Sequence, residues 1–169
     1  MGRSKAWSPA ELSYRLLAAP WGPALELFSF AGAWAPPAEQ IDFGWAAWEG
    51  ERVHGALIVE RAGTNAMLHG PVVVAPADAP PEMALEVAGE LLSGAIRHAE
   101  GVGIDTLFTR PQGLDRIWVR HGFLPVPEPL LPKALHGRPG LGLYGWRGGS
   151  ALWSAAGRGM PRARADARR

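Results

Sequence analysis

The sequence predicts an α/β protein of the α+β kind, a mixed and mostly antiparallel sheet flanked by helices. Three observations predict it. From Ile41 to Ala75 apolar and polar residues alternate, interrupted by two polar turns, which is the pattern of an antiparallel three-stranded meander. From Glu82 to Glu100, Ala84, Ala88, Leu91, Leu92, Ala95 and Ala99 recur at three- and four-residue spacing, as on the buried stripe of an amphipathic helix. Between Ile104 and Val126 two short apolar runs flank a helical stretch, so further strands join the sheet after the long helix.

The elements follow in chain order. Ser8-Pro9-Ala10-Glu11 has the form of a helix start, with Ser8 as N-cap, Pro9 in the first turn and Glu11 able to close a capping box, and it predicts a helix to about Ala19. Pro20 and Gly22-Pro23 stop it, and the apolar run Leu25 to Ala31 reads as a strand. After Pro36-Pro37, Ile41, Phe43, Trp45 and Ala47 point to one face of a strand. The turn Glu49-Gly50-Glu51-Arg52 leads into a strand from Val53 to Arg61, and Ala62-Gly63-Thr64-Asn65 into a third from Ala66 to Ala75. Gly70-Pro71 lies inside that third strand; proline gives no ladder hydrogen bond, so a bulge or an unpaired edge is expected there. Pro76 to Pro81 link to the long helix, which Gly101 and Gly103 end. Ile104 to Thr109 is a short buried strand, Gly113 to His121 a short helix, Phe123 to Val126 a strand, and Leu141 to Trp146 a last one.

Composition narrows the partners. With 169 residues, 47% of them hydrophobic and a formal charge of +1, the chain reads as one soluble domain, cytoplasmic in the absence of a signal or membrane segment, and without the basic excess of a general nucleic-acid binder. The absence of cysteine excludes disulfides, thiolate metal sites and cysteine nucleophiles. No histidine spacing suggests a metal, and none is expected. The segment from Ser154 holds five arginines and one aspartate without a core-forming period, and is expected to be a disordered tail on a domain spanning residues 1–153. That leaves 12 basic against 15 acidic residues, or −3, in the domain. Gly140 to Gly145 spells G-x-G-x-x-G but neither follows a clear strand nor opens a helix, so it is no dinucleotide fingerprint.

Three antiparallel strands, a long helix, a strand, a short helix and a strand opening on His121-Gly122-Phe123 form an order that resembles the GNAT superfamily of N-acyltransferases. Its most specific piece runs from Leu114 to Val126, where a short helix enters a Gly-Phe pair and then a strand. The resemblance implies a GNAT-like sheet in which the strand ending near Ala75 splays from the next and admits the pantetheine arm of acyl-CoA against Val73, Val74 and Ala75. It also implies an N-acyltransferase using an acyl-CoA co-substrate such as acetyl-CoA, a small-molecule or peptide amine as acceptor, and a domain free to form a homodimer. On the same footing Met83 and Ala84, in the first turn of the long helix, fall at the donor site. His69, beside Gly70-Pro71, is the implied general base, and Glu60 on the preceding strand the second candidate.

The sequence departs from the resemblance in two features. The family's diphosphate loop carries an Arg or Gln and two glycines; the matching residues here are Ala79, Glu82 and Ala84, with Pro80 and Pro81 removing two backbone donors. The tyrosine that often protonates the leaving thiolate is replaced by Trp118, whose indole N–H is no acid near neutral pH. A non-catalytic GNAT-like interaction module is therefore the alternative expectation.

Overall fold

The computed structural model describes residues 8–111, 115–138 and 153–156. Seven strands form one sheet: β1 (Ser13–Leu17), β2 (Ile41–Glu49), β3 (Arg52–Ala62), β4 (Asn65–Val73), β5 (Thr106–Thr109), β6 (Leu124–Pro125) and β7 (Trp153–Ala156), in the order β1-β2-β3-β4-β5-β7-β6. Every pairing is antiparallel except β4 with β5, which the α2 crossover (Pro81–Gly101) makes parallel. The mixed, mostly antiparallel α/β sheet is as the sequence predicts.

Side-chain alternation sends β3 to two cores. Leu57 and Val59 meet α2 and α3 (Asp115–Arg120) on one face, through Leu91, Leu92, Ile117 and Trp118. Ala56 and Ile58 meet α1 (Gly22–Phe30) on the other, through Ala24, Leu27 and Phe28. A third, smaller cluster sets Leu131 and Leu135, from the turns after β6, against Met67 and Phe108. The α2 stripe is buried as its periodicity requires, at Val87, Ala88, Leu91, Leu92, Ala95 and Ala99. Gly94 lies on that stripe for a steric reason, since a Cβ there would stand 2.1 Å from Trp45 Nε1. At the joint after α3, Gly122 adopts φ +87° and Phe123 is fully buried edge-on to Trp118, centroids 5.0 Å apart.

The first 31 residues correct the sequence reading twice. The expected helix to Ala19 is a single turn, Pro9–Glu11, followed by β1; Ser8 N–H does donate to Glu11 Oε2 at 3.0 Å, but the box closes one turn only. Beyond it the burial has period two, with Leu12 and Tyr14 toward α2 and Leu17 toward α1, and the free edge of β2 supplies a ladder from Ser13↔Trp48 to Leu17↔Gly44. The expected strand Leu25 to Ala31 is instead α1, because Ala24, Leu27 and Phe28 share one face at helical spacing and Pro23 occupies its first turn.

At the other end, β7 continues the sheet to Ala156, so the expected boundary at residue 153 falls inside a strand: the edge that β5 leaves open is filled by Trp153 to Ala156. The expected strand Leu141 to Trp146 lies outside the described residues, as does the tail from residue 157.

Candidate functional site

The site forms where β4 leaves β5. Their parallel pairing runs from Asn65↔Thr106 to Leu68↔Thr109 and stops, and Thr109 Oγ1 donates to Leu68 O at 3.1 Å at the last rung. β4 nonetheless stays with β3 as far as Gly55↔Val73. Between these limits Gly70 and Pro71 stand opposite Leu57 alone, which is the bulge that the mid-strand proline leads one to expect. Gly70 is required there: its φ is +95°, and a Cβ would meet Ala56 O at 3.1 Å and Phe28 Cζ at 3.2 Å. Past the bulge, Val74 N–H donates to His54 O at 2.8 Å. By strand alternation the N–H groups of Val73 and Ala75 therefore point away from β3, to the side where β5 has diverged.

His69 and Glu60, nine residues apart in sequence, are in direct contact on the α1 face of the sheet. His69 Nε2 lies 2.6 Å from Glu60 Oε2, with the histidine 8% and the glutamate 2% exposed. Arg138 completes the group, its Nη2 donating to Glu60 Oε1 at 2.7 Å and its Nε lying within 3.2 Å of both carboxylate oxygens. The guanidinium is itself held by His136 O at 2.7 Å through Nη1. Burial alone would raise the Glu60 pKa, but hydrogen bonds from His69 and Arg138, together with the charges of both, outweigh it and hold the group down to about 2. The same bond raises the pKa of Arg138 further.

This geometry sorts the chemistry. An ionised carboxylate only accepts, so His69 Nε2 carries the proton toward Glu60, and the lone pair of a neutral imidazole resides on Nδ1. Glu60, doubly engaged and strongly acidic, is a poor base; it orients the ring and balances a positive charge on it. Trp34 stands edge-on to His69, ring centroids 5.2 Å apart at 61°. Beside Glu60, on the Arg138 side, opens a cleft of about 370 Å³ lined by Glu39, Gln40, Asp42 and Arg61 among others.

Of the donor-side candidates, Val73, Ala75 and Met83 pack against the α2-side core and Val74 against the α1-side core. Val73 ends β4, Val74 and Ala75 follow it, and Met83 and Ala84 are half-buried in the first turns of α2. Pro80 caps that helix, Pro81 follows in the first turn, Met83 N–H is taken by Pro80 O at 3.0 Å, and Glu82 is exposed beside them. A second cleft, about 660 Å³, lies between α2 and α3, with Glu82, Glu86 and Glu90 on one wall and Arg116 and Arg120 on the other. There Ser93 Oγ lies 3.0 Å from His121 Nε2, while His121 Nδ1 donates to Ile117 O at 2.8 Å, tying the two helices together. Among the described residues no three His, Asp or Glu side chains gather as a metal site. Nor is any described helix long and apolar enough to cross a membrane.

Arg138 and Trp34 are the participants that sequence reasoning misses. Arg138 is 78 residues from Glu60, in a Gly-Arg-Pro stretch with no period. Trp34 sits in a breaker-flanked loop, Ala33 to Pro37, where nothing distinguishes it from a packing indole.

The element order, the parting of β4 from β5 and the helix-to-Gly-Phe joint are those of the GNAT fold, and solved structures bear this out. A GNAT-family acetyltransferase from Staphylococcus aureus superposes at TM-score 0.59 with 12% identity over 85% of this chain and 99% of its own. The ribosomal-protein-S18-alanine N-acetyltransferase of Escherichia coli gives 0.59 and 14% over 90% of this chain and 97% of its own. The N-acetylglutamate synthase of Neisseria gonorrhoeae, complexed with coenzyme A and N-acetyl-glutamate, gives 0.58 and 14% over 86% of this chain and 35% of its own. No protein-family model matches the sequence, and no curated protein matches it. At these identities the likeness establishes the fold.

Proposed function

We propose that this protein is an N-acyltransferase that moves an acyl group, acetyl in the simplest case, from a coenzyme A thioester to an amine. The observation that carries the proposal is the coincidence of two features: the opening of β4 from β5 at Leu68, and the paired His69 and Glu60 at its lip. The N–H groups of Val73 and Ala75 offer an extended pantetheine arm the ladder that β5 no longer takes up. Val74 supports that strand from β3, and Met83 and Ala84 flank the arm where it passes α2. His69 Nδ1 takes the proton from the attacking ammonium, the neutral amine adds to the thioester carbonyl, the adduct's nitrogen gives its second proton to water, and the tetrahedral intermediate expels the thiolate. Glu60 keeps the proton on Nε2 and stabilises the imidazolium, with Arg138 fixing the carboxylate in turn. Trp118 is buried and can give the thiolate no proton, so water supplies it.

The donor's phosphates receive little help from the start of α2. Ala79 brings no charge, Pro80 and Pro81 no N–H, and the Glu82 carboxylate repels by about 1 kcal/mol or more at contact distance. Donor affinity therefore comes mainly from the pantetheine arm. The same residues favour a second reading, a GNAT-like module without catalysis.

Calorimetry with acetyl-CoA, coupled to a thiol-release assay with simple primary amines, separates the two. The acyltransferase reading expects millimolar or tighter binding and amine-dependent thiol release that falls at least about 100-fold in His69→Gln, the low end of what a general base contributes. Binding without release rejects it in favour of the module, whereas release unchanged in His69→Gln keeps the activity and overturns His69 as its base.

A further inference from the structure

The charges around His69 also constrain what the acceptor looks like, a step that rests on the acyl-transfer reading above. Glu60 is the carboxylate in direct contact with His69, and it is spent: His69 holds Oε2 and Arg138 spans both oxygens. The Glu60–Arg138 pair itself is balanced, and the further carboxylates, Glu39 and Asp42, line the cleft on the Arg138 side together with Arg61. What stands against His69 instead is aromatic. The Trp34 ring meets it edge to face and remains 40% exposed, so much of the indole is open to a ligand. Phe28 covers the adjoining bulge at Gly70.

We infer that the amine accepted here is carried on an aromatic or otherwise apolar body, and that Trp34 is the residue that selects it. The acceptor's ring packs against the free indole surface while its nitrogen faces His69 Nδ1; an ammonium arriving charged gains a cation–π contact from the same ring before it loses its proton. Trp34 acts on acceptor binding and takes no proton, so it belongs to KM rather than to kcat.

The test measures binding directly, by NMR titration of the protein with phenethylamine, ethylamine and spermidine, in wild type, Trp34→Ala and Trp34→Phe. Phenethylamine is expected to bind about tenfold or more tightly than ethylamine and more tightly than spermidine. Trp34→Ala should remove most of that margin, and Trp34→Phe should retain it. Spermidine binding tightest, a margin unaffected by Trp34→Ala, or no binding of any amine overturns the inference. Trp34-dependent binding of phenethylamine without its acetylation from acetyl-CoA overturns the acyl-transfer reading and leaves the selection standing. Equal acetylation of all three amines, indifferent to Trp34→Ala, does the reverse.

Discussion

Glu60 is where the electrostatics of this protein are most concentrated. A buried carboxylate is stable only if its lone pairs are met, and here His69 and Arg138 meet them from two sides. Its pKa, lowered from 4.5 to about 2, links it to stability. The sign follows from the direction: the stabilisation is complete above the unfolded value of 4.5 and is lost as the pH falls toward 2. Denaturant titrations across that range should show wild type losing on the order of 3 kcal/mol that Glu60→Gln does not lose, the variant being the less stable of the two at pH 7. Parallel acid profiles for the two proteins would refute the assignment. His69 and Glu60 are both legible in the sequence, since alternation brings them to one face and Gly70-Pro71 marks the place. Arg138 is not, because its role depends on where a turn-rich segment crosses the sheet, which no local pattern encodes.

At the level of elements, long periodic segments are readable and short ones are decided by their neighbours. The meander and α2 have enough residues for the period to be unambiguous, and they occupy the expected places. In the first 31 residues both apolar runs are short, and their identities exchange: β1 exists because β2 has an open edge, α1 because the bulge at Gly70 and the strand beside it need an apolar cover. The contact of α2 with β2 is testable at Gly94. Helix propensity alone would make Gly94→Ala stabilising by about 1 kcal/mol. The overlap of the new Cβ with the Trp45 indole, 2.1 Å away, must instead displace the ring or the helix, and overpacking of this kind costs about 1 to 3 kcal/mol. The clash is expected to win, with a net loss measurable as a lowered urea midpoint; an unchanged or raised midpoint would mean that Trp45 moves aside freely. Tyr14, which donates to Pro9 O at 3.1 Å, reports on β1 in the same way. Burial, then Glu90 and Glu86, push its pKa up to about 12, so the stability it confers is complete below pH 10 and disappears as the pH rises toward 12. Tyr14→Phe should abolish that part of the alkaline transition.

At the scale of the whole molecule, the fold and the donor loop pull in different directions. The β4–β5 pairing ends at Leu68↔Thr109, where the proposed arm would enter, yet the α2 start presents Glu82, and residues 1–153 carry −3. If the arm rather than the phosphates supplies the affinity, added salt should leave acetyl-CoA binding unchanged or improve it by screening repulsion. Glu82→Gln should then tighten binding about fivefold, the equivalent of about 1 kcal/mol. A steep loss of affinity with salt would reveal a cationic phosphate site elsewhere.

The central claim is that a thioester arm lies along the open side of β4, and amide NMR spectra during an acetyl-CoA titration test it most directly. The account predicts saturable shifts concentrated at Gly70, Val73, Ala75 and Thr109, persisting when pantetheine replaces coenzyme A. Shifts confined to the cleft between α2 and α3, or none at millimolar acetyl-CoA, would contradict it.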